Sequence, residues 1–131
     1  MPDHLDETTF NLPSVVAEVT GVFAAYERAL QDDDVDALDN FFWDSPDVVR
    51  FGIRENLYGA EAIARYRRSS PPRTWVRSLS NTVVVTFGPD AAAVSTEFTG
   101  QGGGAGRQTQ MWARLPAGWK IIAAHVSVMA S

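Results

Sequence analysis

The sequence predicts an α+β domain in which helices cover one face of a curved, mostly antiparallel sheet and close a cone. Three observations predict it. Apolar residues recur at helical spacing in the first part of the chain. They alternate at period two through most of the second half. Turn-forming residues divide that half into four strands.

The first helix is read over Pro13–Gln31, where Val15, Val19, Val22, Tyr26 and Leu30 recur at three- and four-residue steps and Val16 and Phe23 widen the stripe. Tyr26 therefore falls on the buried face. Asp32-Asp33-Asp34 ends this helix, and Asp34 is placed to cap a second, short one bearing Val35, Leu38, Phe41 and Phe42. Asp44-Ser45-Pro46-Asp47 breaks the second helix. Val48–Ile53 then alternates as a strand, with Val49, Phe51 and Ile53 to one side and Val48, Arg50 and Gly52 to the other. Arg54, Glu55 and Asn56 are read as turn residues that set a hairpin and orient Arg50. Gly59 precedes a third helix, Ala60–Arg68, with Ile63 and Tyr66 inward, and Pro71-Pro72 stops it.

The four later strands are read as Trp75–Phe87, Ala92–Thr99, Gln108–Leu115 and Trp119–Met129. Gly88-Pro89-Asp90 and Pro116-Ala117-Gly118 make turns, and the Gly102–Gly106 cluster reads as a flexible loop. Strict alternation in the last strand would put Trp119, Ile121, Ala123, His125 and Ser127 on one face. Lys120, Ile122, Ala124, Val126 and Val128 would then share the other, and the last four would form an apolar row, taken as the sheet's convex, pairing face.

With 131 residues, 45% hydrophobic and 21% charged, the chain reads as one globular domain, 1–131, whose residues 1–12 form a polar leader rather than a secretory signal. No apolar run reaches the ~20 residues of a membrane span, so no membrane partner and a cytoplasmic location are expected. The absence of cysteine excludes disulfides, thiolate metal sites and a cysteine nucleophile. His4 and His125 are the only imidazoles, which excludes a multi-histidine zinc centre. A net charge of −5 argues against a nucleic-acid partner. The glycine cluster lacks the GK[ST] and strand-to-helix context of a phosphate loop. Arg65, Arg67, Arg68 and Arg73 form a short basic run in an acidic chain, read as a solvated helix face.

The layout of helix, helix, strand, helix and meander resembles the cystatin-like cone shared by nuclear transport factor two, ketosteroid isomerases and SnoaL-like cyclases. More specifically, Arg50-Phe51-Gly52-Ile53-Arg54-Glu55-Asn56 with Tyr58-Gly59 and Arg65-Tyr66-Arg67 resembles the AtzH-like family, as does Gly118-Trp119-Lys120-Ile121-Ile122-Ala123-Ala124-His125-Val126-Ser127. The match runs from about Val15 to Met129. The resemblance implies a homodimer and a role in bacterial nitrogen catabolism, including cyanuric acid degradation, beside amidase-type hydrolases. For the family's namesake it implies decarboxylation of 1,3-dicarboxyurea to allophanate by a tyrosine on the first helix and an arginine on the first strand. Those positions are Tyr26 and Arg50.

The residues themselves leave alternatives open. Tyr26 suits either a core tyrosine with its hydroxyl tied to a backbone carbonyl or a proton donor. Arg50, mid-strand with no obvious matching carboxylate, must reach solvent or bind an anion, and a ligand carboxylate fits its bidentate geometry. As a pair they make chemical sense. Loss of carbon dioxide from an N-carboxy group requires nitrogen to gain a proton, and a guanidinium that stabilises phenolate makes the phenol a better donor. No cofactor signature accompanies them. His125 is read either as a structural strand histidine or as a substrate-binding donor beside Ser127, and Arg107 either as a solvated loop-edge residue or as a second contact for an anionic substrate.

Two further classes stay open. A ketosteroid-isomerase-like enzyme would need a carboxylate base in the cone, and Asp44, Asp47, Glu55 and Glu97 are not buried by pattern. A non-catalytic anion-binding or dimerisation module is the other. A polar pocket holding Tyr26 and Arg50 favours an enzyme, and a cone packed solid with aromatics favours the module.

Overall fold

In the computed structural model, which describes residues 4–72, 76–100 and 104–130, helix α1 spans Pro13–Gln31. Proline fits its first turn because the amide it lacks would have had no helical partner there. Val15, Val19, Phe23, Tyr26 and Ala29 form its buried stripe. The Asp34 carboxylate accepts from the Ala37 amide at 3.2 Å and starts α2, Val35–Phe41. Strands β1 (Val49–Phe51) and β2 (Asn56–Tyr58) make a hairpin. Gly59, at φ +92°, a region that favours glycine, leads into α3, Ala60–Ser69. A meander follows: β3 (Ser78–Phe87), β4 (Ala91–Thr99), β5 (Ala105–Leu115) and β6 (Gly118–Val128).

The six strands lie in the order β2-β1-β6-β5-β4-β3. All pairs are antiparallel except β1 with β6. The predicted α+β cone is the architecture found. Its core joins the buried stripe of α1 to Leu38, Val48, Ile63, Val94, Trp112 and Ile121. At one end Glu18 of α1 accepts from Arg114 Nη1 at 2.8 Å and Trp119 Nε1 at 3.1 Å, tying the helix to the β5–β6 hairpin.

Four sequence expectations need correction. Asn56–Tyr58, partly read as turn, is a strand of its own. The segment read as a leader is docked from Thr9 onward: the Asn11 amide donates to Thr86 O at 2.9 Å, its side chain accepts from the Thr86 amide, and Phe10 stacks on Phe87. Ala105 and Gly106 belong to β5, and Phe98 packs where a Gly106 side chain would stand. Gly102, Gly103, Arg73 and the expected strand start at Trp75 lie outside the described residues.

The fourth correction has the widest effect. Met111 pairs with Ala123 but Trp112 pairs with Ile121, so Ile122 is an extra residue that opposes nothing. A β-bulge of this kind reverses the alternation beyond it. Ala124, Val126 and Val128 consequently pair with Gln110, Gln108 and Gly106, the buried side of β5, and the apolar row lies on the helix-covered face. Ala123, His125 and Ser127 take the opposite face.

Candidate functional site

Arg50 pairs with Leu57 on β2 and with buried Ala124 on β6, so its side chain enters the helix-covered side of the sheet, as alternation predicted. Its matching carboxylate was missed in the sequence. Glu55, five residues on, accepts from Arg50 Nη1 at 3.0 Å and from the Arg54 amide at 3.1 Å. The hairpin turn thus orients Arg50. The guanidinium carbon also stands 6.0 Å from the centre of the Tyr66 ring.

Arg50 forms part of the wall of a cavity of about 140 Å³ between the end of α1, α2, β1 and α3. Leu30, Leu38, Ile63 and Tyr66 supply apolar wall, and Asp33, Arg67 and Ser70 the polar groups beside Arg50. A void of about 150 Å³ holds a benzene-sized molecule, so a small organic anion fits this space.

Tyr26 stands next to this cavity rather than on its wall, one helical turn before Leu30. Its ring lies edge-on to Phe41, Phe42 and Trp112 at centroid distances of 5.6, 6.4 and 6.3 Å. These interlocked rings hold the phenol in place.

A polar network that sequence reasoning missed lies alongside. Glu27, the next residue on α1, pairs with the Arg77 guanidinium, which also donates to Gln108 Oε1 at 3.2 Å and covers the Phe98 ring at 4.7 Å. Gln31 Nε2 donates to the Arg77 carbonyl at 3.3 Å. The Tyr26 hydroxyl takes no part in these bonds. Glu27 falls four residues after Phe23 on the buried stripe, and that spacing was the available signal. Because Arg77 occupies it, Glu27 is not a free carboxylate base.

His125 and Arg107 are on the opposite face. His125 is exposed, opposite Thr109, its ring 5.9 Å from Phe51. Exposed Arg107 donates to Ser127 Oγ at 3.0 Å. The Ile122 bulge turns His125 away from Tyr26 and Arg50, and plain alternation along β5 turns Arg107 away. Among the acids weighed as bases, Asp44, Asp47 and Glu97 are exposed and Glu55 is paired.

The basic run on α3 divides. Arg65 and Arg68 are exposed, but Arg67 turns inward over the Phe42 ring, its Nε 3.2 Å from Asp39 Oδ1. The solvated-face reading is corrected for Arg67. A larger depression, about 1000 Å³, lies between α2, α3 and the β5–β6 turn. Asp39, Asp44 and Glu61 line it against Lys120, a balance that disfavours anions, so the smaller cavity is the better anion site. Among the described residues there is no metal-ligating cluster and no helix long and apolar enough to cross a membrane.

A family model described as AtzH-like matches residues 8–131. The chain belongs to the AtzH-like family. Two solved structures are similar to this AtzH-like chain over nearly its whole length. A cystatin-like fold protein from Burkholderia xenovorans LB400 is 50% identical, covering 93% of this chain and 97% of that one, with a TM-score of 0.89. A protein of unknown function from the DUF3225 family of Pectobacterium atrosepticum SCRI1043 is 45% identical, covering 97% and 100%, with a TM-score of 0.94. An NTF2-like protein of unknown function from Pseudomonas putida KT2440, 19% identical over 90% and 89% of the chains at a TM-score of 0.79, shares the fold. No curated protein matched this AtzH-like chain.

Proposed function

We infer that this AtzH-like protein is a decarboxylase of a small N-carboxylated urea, of the 1,3-dicarboxyurea to allophanate type, serving bacterial nitrogen and cyanuric acid catabolism in the cytoplasm. One observation carries the reading: largely buried Arg50, fixed by Glu55, faces a small cavity whose wall begins one turn after Tyr26. Arg50 anchors a carboxylate that stays, since a firm grip on the departing one would stabilise the ground state. In the chemical step the C–N bond pair stays with nitrogen and carbon dioxide leaves. The Tyr26 hydroxyl gives its proton to that nitrogen, and the phenolate regains one from water. The step calls for no cofactor.

One observation favours a second reading, an anion-binding module without turnover: the Tyr26 ring is packed among three aromatic rings and is not part of the cavity wall. Carbon dioxide release from 1,3-dicarboxyurea generated in situ separates the two. Turnover by the wild type that Arg50→Lys reduces supports the decarboxylase; binding without turnover on any N-carboxy urea replaces it with the module. A homodimer, which the family resemblance implies, would use the helix-free face carrying Phe51, Met111, Ala123 and His125 rather than the row first assigned to it. Light scattering at micromolar concentration checks it, and a monomer would refute it.

A further inference from the structure

Tyr66 stands on α3 in line with Ile63, Arg67 and Ser70, at steps of three and four residues, and all four line the Arg50 cavity. Ile63 is buried whereas Tyr66 is 39% exposed, so Tyr66 belongs to the outer part of the wall, toward solvent. Its ring as well as its backbone is at the site. The ring centre lies 6.0 Å from the Arg50 guanidinium carbon, at the limit of a cation–π contact. Because Arg50 Nη1 is taken by Glu55, a ligand carboxylate must use the other guanidinium donors, and whatever extends from that carboxylate lies beside the Tyr66 ring. The backbone that carries the ring is fixed, since the Ser69 and Ser70 hydroxyls donate to the Tyr66 carbonyl at 3.1 and 2.8 Å. A space of about 140 Å³ has room for one small molecule, so a ring on its outer wall decides how large that molecule is.

We propose that Tyr66 is a specificity-determining residue: its ring closes the outer side of the Arg50 cavity, admitting a small carboxylate-bearing urea and excluding one with a bulky substituent. The proposal rests on the reading of this cavity as the ligand site and adds to it the residue that selects by size. The ring, rather than the hydroxyl, carries the effect, because the ring is what stands beside the guanidinium.

The test is calorimetric titration with two stable ureas that each carry one carboxylate, N-carbamoylglycine and the bulkier N-carbamoylphenylalanine. The wild type should bind the glycine compound more tightly by about tenfold or more, the usual worth of a size mismatch in a pocket. Tyr66→Phe keeps the ring and should keep the preference. Tyr66→Ala removes the ring from a partly exposed position. It should erase the preference by raising the affinity for N-carbamoylphenylalanine about tenfold, a gain that a damaged fold would not produce. Tyr66→Leu serves if the alanine variant does not fold. The proposal is overturned if the wild type shows no preference, if Tyr66→Ala retains it or loses it only through weaker binding of N-carbamoylglycine, or if Tyr66→Phe loses it as completely as Tyr66→Ala does. Failure of the decarboxylase reading looks different: the size preference and its dependence on Tyr66 persist while no carbon dioxide is released from 1,3-dicarboxyurea.

Discussion

Arg50 and Glu55 meet across the β1–β2 turn, with Nη1 of the one 3.0 Å from Oε1 of the other and both side chains about four-fifths buried. Glu55 also caps the Arg54 amide, so the carboxylate that fixes the turn fixes the guanidinium. Glu55→Gln should loosen Arg50 and lower kcat for 1,3-dicarboxyurea roughly tenfold, because small misplacements of a positioning group are costly. Removing a negative charge beside the anion site should leave KM unchanged or lower it. A rise in KM with unchanged kcat would assign Glu55 another role.

Tyr26→Phe preserves the ring that packs against Phe41, Phe42 and Trp112 and removes a hydroxyl outside the neighbouring polar network. Thermal melting should therefore shift little. Decarboxylation should fall by about 10²–10⁴-fold, the range for a lost general acid. Full retained activity would remove the proton-donor role.

Much of this arrangement was legible in the sequence. The bounds of α1 follow from an uninterrupted apolar stripe, and Arg50 points inward because β1 alternates without a bulge. His125 was misplaced because a bulge is a one-residue event and Ile122 is as apolar as its neighbours, so nothing in the pattern marks it. Arg67 was hidden for a different reason. On α3 alone it sits in a basic run, and only the approach of Asp39 from α2 and the Phe42 ring buries it. Helical spacing did mark Glu27, but its partner Arg77 is far along the chain.

Gly106→Ala should destabilise the fold by about 1–3 kcal/mol, the usual cost of forcing atoms into a filled core. A Cβ at this position would stand 2.2 Å from Phe98 Cζ, and Phe98 is itself held under the Arg77 guanidinium. Chemical denaturation measures the loss, and Phe98→Leu should recover part of it in a double-mutant cycle.

Hydrogen bonding to Trp119, aided by the Arg114 charge, holds the Glu18 carboxyl below the usual glutamate range. A carboxyl lowered in this way stabilises the fold above its unfolded value, and the contribution disappears as pH falls through the lower, folded value. The stability difference between wild type and Glu18→Gln should therefore be present at neutral pH and shrink toward acid, below the usual glutamate range. Exposure of the group keeps it small. Melting curves between neutral pH and pH 3 check it, and a difference that grew on acidification would contradict the sign.

The one parallel strand pair among the described residues, β1 with β6, joins the two paired strands that lie farthest apart in the chain. The β3–β6 meander is joined by short turns and its pairing is local, whereas Val49 and Phe51 must find Ala123 and His125 from the far end of the chain. Closing so long a loop is entropically slow, so the hairpin that carries Arg50 is expected to dock after the meander has formed. A refolding intermediate would then show native strand signal before it could hold an anion, and recovery of ligand binding would lag recovery of secondary structure.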